Sequence, residues 1–185
     1  MWTKSLVALL ATAVLGLPAQ AQEKAPRDPN ANKPEFIKSS KAPGLTVRFV
    51  DFKWDEAAFD AIEKGTPHPA ATRSWVLARL MLEKEPMKWN GRGIPVGPVV
   101  LVLNPGNGGV GATLEARYID MREVFLNDNV IAEPPPGETY QKIPAVFHKV
   151  ARVAPRLEVS VAEKGRGYDL LIHYGNRETT VRLDR

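Results

Sequence analysis

Residues 99–120 read VVLVLNPGNGGVGATLEARYID, and whether this stretch runs strand-loop-strand or strand-loop-helix fixes the class of the whole chain. Val99 to Leu103 are consecutive apolar residues with valines beside leucines, a run that suits a strand buried on both faces. Gly106-Asn107-Gly108-Gly109-Val110-Gly111 then fits G-x-G-x-x-G, the dinucleotide fingerprint. To cradle a pyrophosphate, the motif must open a helix whose first amides face the phosphates. Leu114, Tyr118, Met121 and Phe125 do share one helical face. The competing pattern is alternation, with Ala112, Leu114, Ala116 and Tyr118 set against Thr113, Glu115 and Arg117, as in a strand buried on one side. Pro105 inside the turn and this alternation favour the strand, and the glycines then become a connector between strands. A Walker A loop fails outright, because Ala112 stands where the phosphate-binding lysine belongs.

On the C-terminal side the pattern is plainer. Leu157, Val159 and Val161 form one alternating run, Tyr168, Leu170, Ile172 and Tyr174 a second, and Thr179, Val181 and Leu183 a third. Gly165 and Gly167 join the first two and Gly175-Asn176 the next, so an antiparallel meander is expected. On the N-terminal side, Trp75 to Leu82 has the intrinsic propensity of a helix, yet such a helix would be apolar almost all round. As a strand it puts Val76, Ala78, Leu80 and Leu82 on one face and runs toward Asn90-Gly91, a tight-turn pair. Leu45, Val47 and Phe49 alternate as another strand. Asp55 caps a short helix through Lys64, with Ala58, Phe59 and Ile62 on its apolar side and Gly65 as its stop. The expected class is therefore all-β, a mainly antiparallel sandwich or barrel-like fold with one short helix near 55–64. Helices at 75–82 and 112–120 would make it α+β instead.

The ends of the chain set its compartment. Lys4, the apolar run Leu6 to Leu17, the helix-breaking Pro18 and Ala19-Gln20-Ala21 have the order of a secretory signal peptide over 1–21, cleaved before Gln22. From 22 to 44 the chain holds Pro26, Pro29, Pro34 and Pro43 among Lys and Asn, which reads as a disordered leader; 45–185 reads as a single β-rich domain. A periplasmic or secreted protein is expected, with no membrane span once the signal is removed. The chain has no cysteine, which excludes disulfides, thiolate metal sites and a lipid-anchored cysteine. With Lys4 gone, 24 of the 25 Lys and Arg face 21 Asp and Glu. That dispersed excess gives no basic stripe of the kind nucleic acid requires.

Asn90-Gly91-Arg92-Gly93-Ile94-Pro95-Val96-Gly97, followed by Val99 to Pro105, resembles a strand-turn-strand of secreted bacterial β-sandwich domains of unknown function, in which N-G-x-x-L/I-P-x-G precedes a strand ending in proline. Pro98 departs from the Thr or Lys usual there, and the family's upstream charged motif is not recognisable. The resemblance implies a β-sandwich; it carries over no activity and no catalytic residue.

Few residues point to chemistry. Arg117, Asp120, Arg122 and Glu123 form the densest polar cluster, suited to orienting an anionic ligand, and Asp120 with Glu123 to acid/base hydrolysis. Trp54, Trp75 and Trp89 offer rings for stacking on a sugar, with Trp89 beside the turn the preferred candidate. His68, His148 and His173 lack the spacing of a preformed metal site, so metal-assisted hydrolysis rests on the fold bringing them together, and His173 is expected on the face opposite Ile172. No catalytic residue, metal or cofactor is assigned. The expected role is an envelope binding or accessory domain for a small molecule, glycan or protein. Hydrolysis is the alternative, and dinucleotide binding at 106–111 a remote one.

Overall fold

The computed structural model describes residues 37–50, 52–107, 110–118 and 138–185, all within the compact unit Lys33–Arg185. The chain runs through β1 (Ile37–Ala42), β2 (Leu45–Val50), α1 (Glu56–Lys64), a 3-10 turn (Pro69–Thr72), β3 (Trp75–Leu82), β4 (Met87–Trp89), β5 (Arg92–Ile94), β6 (Gly97–Asn104), β7 (Thr113–Tyr118), β8 (Thr139–Pro144), β9 (His148–Lys164) and β10 (Gly167–Asp184). Two sheets form, in the orders β1-β2-β3-β6-β7-β8 and β5-β4-β10-β9. Neighbouring strands in both sheets pair antiparallel. The all-β class with one short helix thus holds. The export signal expected over 1–21 lies outside the described residues.

β6 is central and flanked by β3 and β7, which explains its unbroken apolar run. Val99, Leu101 and Leu103 enter the main core. Val100 and Val102 project to the other face and bury themselves with Val76 in a second, smaller cluster. β7 follows the glycine loop as a strand, pairing Leu103 with Leu114 on one side and Leu114 with Ile143 on the other. Among the described residues no helix follows the G-x-G-x-x-G motif, and β7 stands where the dinucleotide reading requires one. Gly108 and Gly109 lie outside the described residues. The neighbouring glycines serve close packing: Gly106 N–H donates to the Ile62 carbonyl at 2.9 Å, and a Cβ on Gly65 would lie 2.5 Å from the Gly106 carbonyl oxygen.

Two boundaries differ from expectation. Ile37–Ala42, assigned by composition to the disordered leader 22–44, is an edge strand paired with β2 from Ile37↔Val50 to Ala42↔Leu45. Its polar residues suit an edge, where one face meets water. The Asn90-Gly91 turn belongs to the separate hairpin β4–β5, through Trp89↔Arg92, rather than directly to β3. Asn90 at φ 49° and Gly91 at φ 79° supply the two positive values of a type I′ turn.

β10 is one strand of 18 residues, which fully extended would be roughly 60 Å long at about 3.3 Å per residue. Yet Arg185 N–H donates to the Arg166 carbonyl at 3.0 Å, and Arg182 Nη1 reaches Asp169 at 3.0 Å. The strand must therefore reverse on itself, and it does so at Gly175-Asn176, where Gly175 has φ 60° and opens the reversal as the glycine of a type II′ turn does. Its first half pairs with β9 from Gly167↔Lys164 to His173↔Glu158, and its second half meets β4 at Leu183↔Trp89. The expected three-run meander is in place.

The two sheets are stitched along both sides. Val161 N–H donates to Ser40 Oγ at 3.0 Å, the Lys53–Arg156 bridge ties the end of β2 to β9, and Gln141 Nε2 donates to the Trp89 carbonyl at 3.2 Å. Helix α1 begins where Asp55 Oδ1 accepts from Ala58 N–H at 3.0 Å and ends at the left-handed Gly65. Its buried Phe59 packs edge-on against Phe147 at 5.0 Å, with Tyr174 at 5.8 Å. Arg177, almost fully buried, holds Asp60 at 2.7 Å and Glu63 at 3.3 Å, so the helix is fastened where the glycine loop and the Gly175 reversal meet.

Candidate functional site

The structure separates the expected site residues. Trp89 is 3% exposed and part of the core, so its ring offers no stacking platform. Arg117 lies on the outer face of the six-stranded sheet, where its Nε donates to Glu115 Oε1 at 2.6 Å. Glu115, only 3% exposed, also accepts from Asn104 Nδ2 at 2.7 Å and from the Thr139 hydroxyl. Burial pushes the Glu115 carboxyl up, but hydrogen bonds from Arg117, Thr139 and Asn104 outweigh it and hold it below its ordinary value. Arg117 is thus engaged by an ionised carboxylate within the fold. Asp120, Arg122 and Glu123 lie outside the described residues.

The histidines stay apart. His173 sits on the face opposite Ile172, as alternation requires, with Nε2 3.2 Å from the Arg152 carbonyl and Nδ1 3.9 Å from Glu158. His148 starts β9 in register with Glu178, and His68 precedes the 3-10 turn. Among the described residues no three or more metal-ligating side chains converge.

A concavity lies instead around the 3-10 turn, between α1 and β3. On one side is a groove of about 570 Å³ lined by Phe52, Trp75 and Tyr174, with Lys53 and Asp55 at its margin. On the other is a cleft of about 410 Å³ lined by Thr66, Ser74, Pro105, Gly106 and Asn107. His68, Thr72 and Arg73 line both, so they form a common wall. Two of the groove's rings are fixed by their polar ends. Trp75 Nε1 donates to the Ala70 carbonyl at 2.9 Å, and the Tyr174 hydroxyl donates to the Lys53 carbonyl at 2.5 Å. Burial pushes the Tyr174 phenol up to about 12, so it acts as a neutral donor throughout the neutral range. Phe52 lies 5.8 Å from Trp75, ring centre to ring centre.

His68 also has a fixed role. Its Nδ1 accepts from Ala70 N–H at 3.0 Å, so the neutral imidazole carries its proton on Nε2. The Thr72 and Ser74 hydroxyls spend their protons on the Pro69 carbonyl at 2.7 Å and Asn104 Oδ1 at 2.6 Å. Sequence reading passes over this region because Thr66-Pro67-His68-Pro69 has the character of a terminator of regular structure. The signal it does carry is a loop holding His and Arg directly before Trp75, in a position where scaffolds commonly place binding residues.

Comparison of the chain with protein-family models, curated proteins and solved structures gave no match. The resemblance at 90–105 rests on its own residues.

Proposed function

We propose that this chain is an exported binding or accessory domain of the cell envelope, whose ligand is a ring-bearing small molecule or glycan. The observation that carries this reading is the groove walled by the half-buried rings of Phe52 and Trp75. Its volume falls within the roughly 300–1,000 Å³ of small-molecule sites, and the Trp75 ring is held by its hydrogen bond to the Ala70 carbonyl before any ligand arrives. Aromatic faces beside a few fixed polar groups suit the alternating C–H and O–H surfaces of a sugar. Trp75 takes the stacking role that the sequence pattern suggests first for Trp89. Export by the segment 1–21 supplies the compartment.

Calorimetric titration with phenyl β-D-glucoside, beside neutral oligosaccharides, tests the groove. Saturable heat is expected for the wild-type chain and its loss in Thr72→Phe, which places a ring in the shared wall at an exposed position. Equal heats in both proteins, or none in the wild type, would defeat the reading. N-terminal sequencing of protein recovered from a bacterial periplasm should start at Gln22; an intact Met1 would defeat the export element alone.

A further inference from the structure

We infer that the wall shared by the two clefts reads an oxyanion, so that the ligand joins a ring to a carboxylate or phosphate. This rests on the groove being the binding site. Arg73 is exposed on that wall, and among the described residues no carboxylate holds it. By contrast, Arg117 is paired with Glu115, Arg152 with Glu158, Arg177 with Asp60 and Glu63, and Arg182 with Asp169. Beside Arg73, His68 presents an Nε2–H donor whose direction is set by the Ala70 N–H bond to its other nitrogen. Two donors on one wall, one of them a planar fork, match the oxygen pair of a carboxylate or phosphate.

The surroundings favour negative charge as well. The 410 Å³ cleft has no acidic residue in its lining. In the 570 Å³ groove the acidic group is Asp55, whose Oδ1 caps α1 at 3.0 Å from Ala58 N, and Lys53 offsets it. With Arg73 counted, the joined site is net positive even with a neutral imidazole. The ring therefore lies on Phe52 and Trp75, while the anion bridges toward His68 and Arg73 on the wall between the clefts.

A matched pair of probes tests this. Phenyl β-D-glucuronide differs from phenyl β-D-glucoside by a carboxylate in place of a hydroxymethyl group, and phenyl phosphate separates phosphate from carboxylate recognition. Calorimetry on the full chain should show at least one anionic probe binding about tenfold more tightly than the glucoside, the scale of one charge-assisted hydrogen bond. Arg73→Gln should collapse that ratio to about one without moving the unfolding midpoint, and Arg73→Lys should restore part of it. If glucoside and both anionic probes bind alike, or if the preference survives Arg73→Gln, the anion inference falls and the groove reading stands. If no probe binds, both fall.

Discussion

At the residue scale, the most constrained position is Gly175. A Cβ there would overlap the six-membered ring of Trp54, and its φ of 60° is already unfavourable for an L side chain. Gly91 has a similar backbone, φ 79°, but a Cβ added there would meet nothing within 4 Å. Gly91→Ala should therefore cost about 1 kcal/mol from backbone strain alone. Gly175→Ala must also displace an aromatic ring packed 4.8 Å from Tyr174, and should cost roughly 3 kcal/mol. Urea denaturation of the two variants measures the difference; equal losses would show that Trp54 yields freely. Gly175 is legible in the sequence as a turn glycine, but the ring beside it comes from a residue 121 positions away on the chain.

At the scale of elements, local chemistry explains what could be read. The single helix follows from Asp55 as cap, Gly65 as stop and apolar residues on one side between them, all within one short segment. The buried run of β6 and the alternation of β7 likewise depend on neighbours in sequence. The attachment of α1 does not: Arg177 comes from the far end of the chain. Arg177 is 5% exposed, whereas Asp60 and Glu63 retain 31% and 24%. Removing the arginine lets two carboxylates rehydrate, but removing both carboxylates strands a buried guanidinium. Asp60→Asn with Glu63→Gln should accordingly destabilise by about 3 kcal/mol, and Arg177→Met by less, about 1 kcal/mol. Thermal unfolding of the variants checks the order; a larger loss for Arg177→Met would contradict the account. The strand Ile37–Ala42 escapes composition for a related reason. Its residues are polar enough for a linker, and only the edges of β2 and β9 give them partners.

Over the whole molecule, acid stability follows from carboxylates in separate places. Asp60 is lowered chiefly by its hydrogen bond from Lys64, Asp169 by those from Lys164 and Arg182, and Glu115 by donors that outweigh burial. Each has a folded value depressed below its unfolded one. The stabilisation is thus complete above the ordinary values of 3.8 and 4.5 and is lost as pH falls through the folded values. Urea midpoints should be flat from neutrality to about pH 5 and fall below about pH 4.5. The exposed pairs of Asp60 and Asp169 are screened by salt, while the buried Glu115 network is not. Glu115→Gln should lower stability at pH 7 by about 1–3 kcal/mol and flatten the acid limb in high salt. An unchanged limb in that variant would remove Glu115 from the explanation.

Strand and helix types, the turn glycines, the absence of thiol chemistry and the expectation of export are all written in the order of the residues. They depend on residue chemistry and on periods of two or 3.6 residues, which are local. That Trp89 is core, that Arg117 answers to Glu115, and that Phe52, Trp75, Tyr174, His68 and Arg73 meet around one turn came only from the folded chain. Such placements depend on which distant strands pair and how two sheets close on each other. That information resides in packing between segments far apart in the chain, where no local pattern records it.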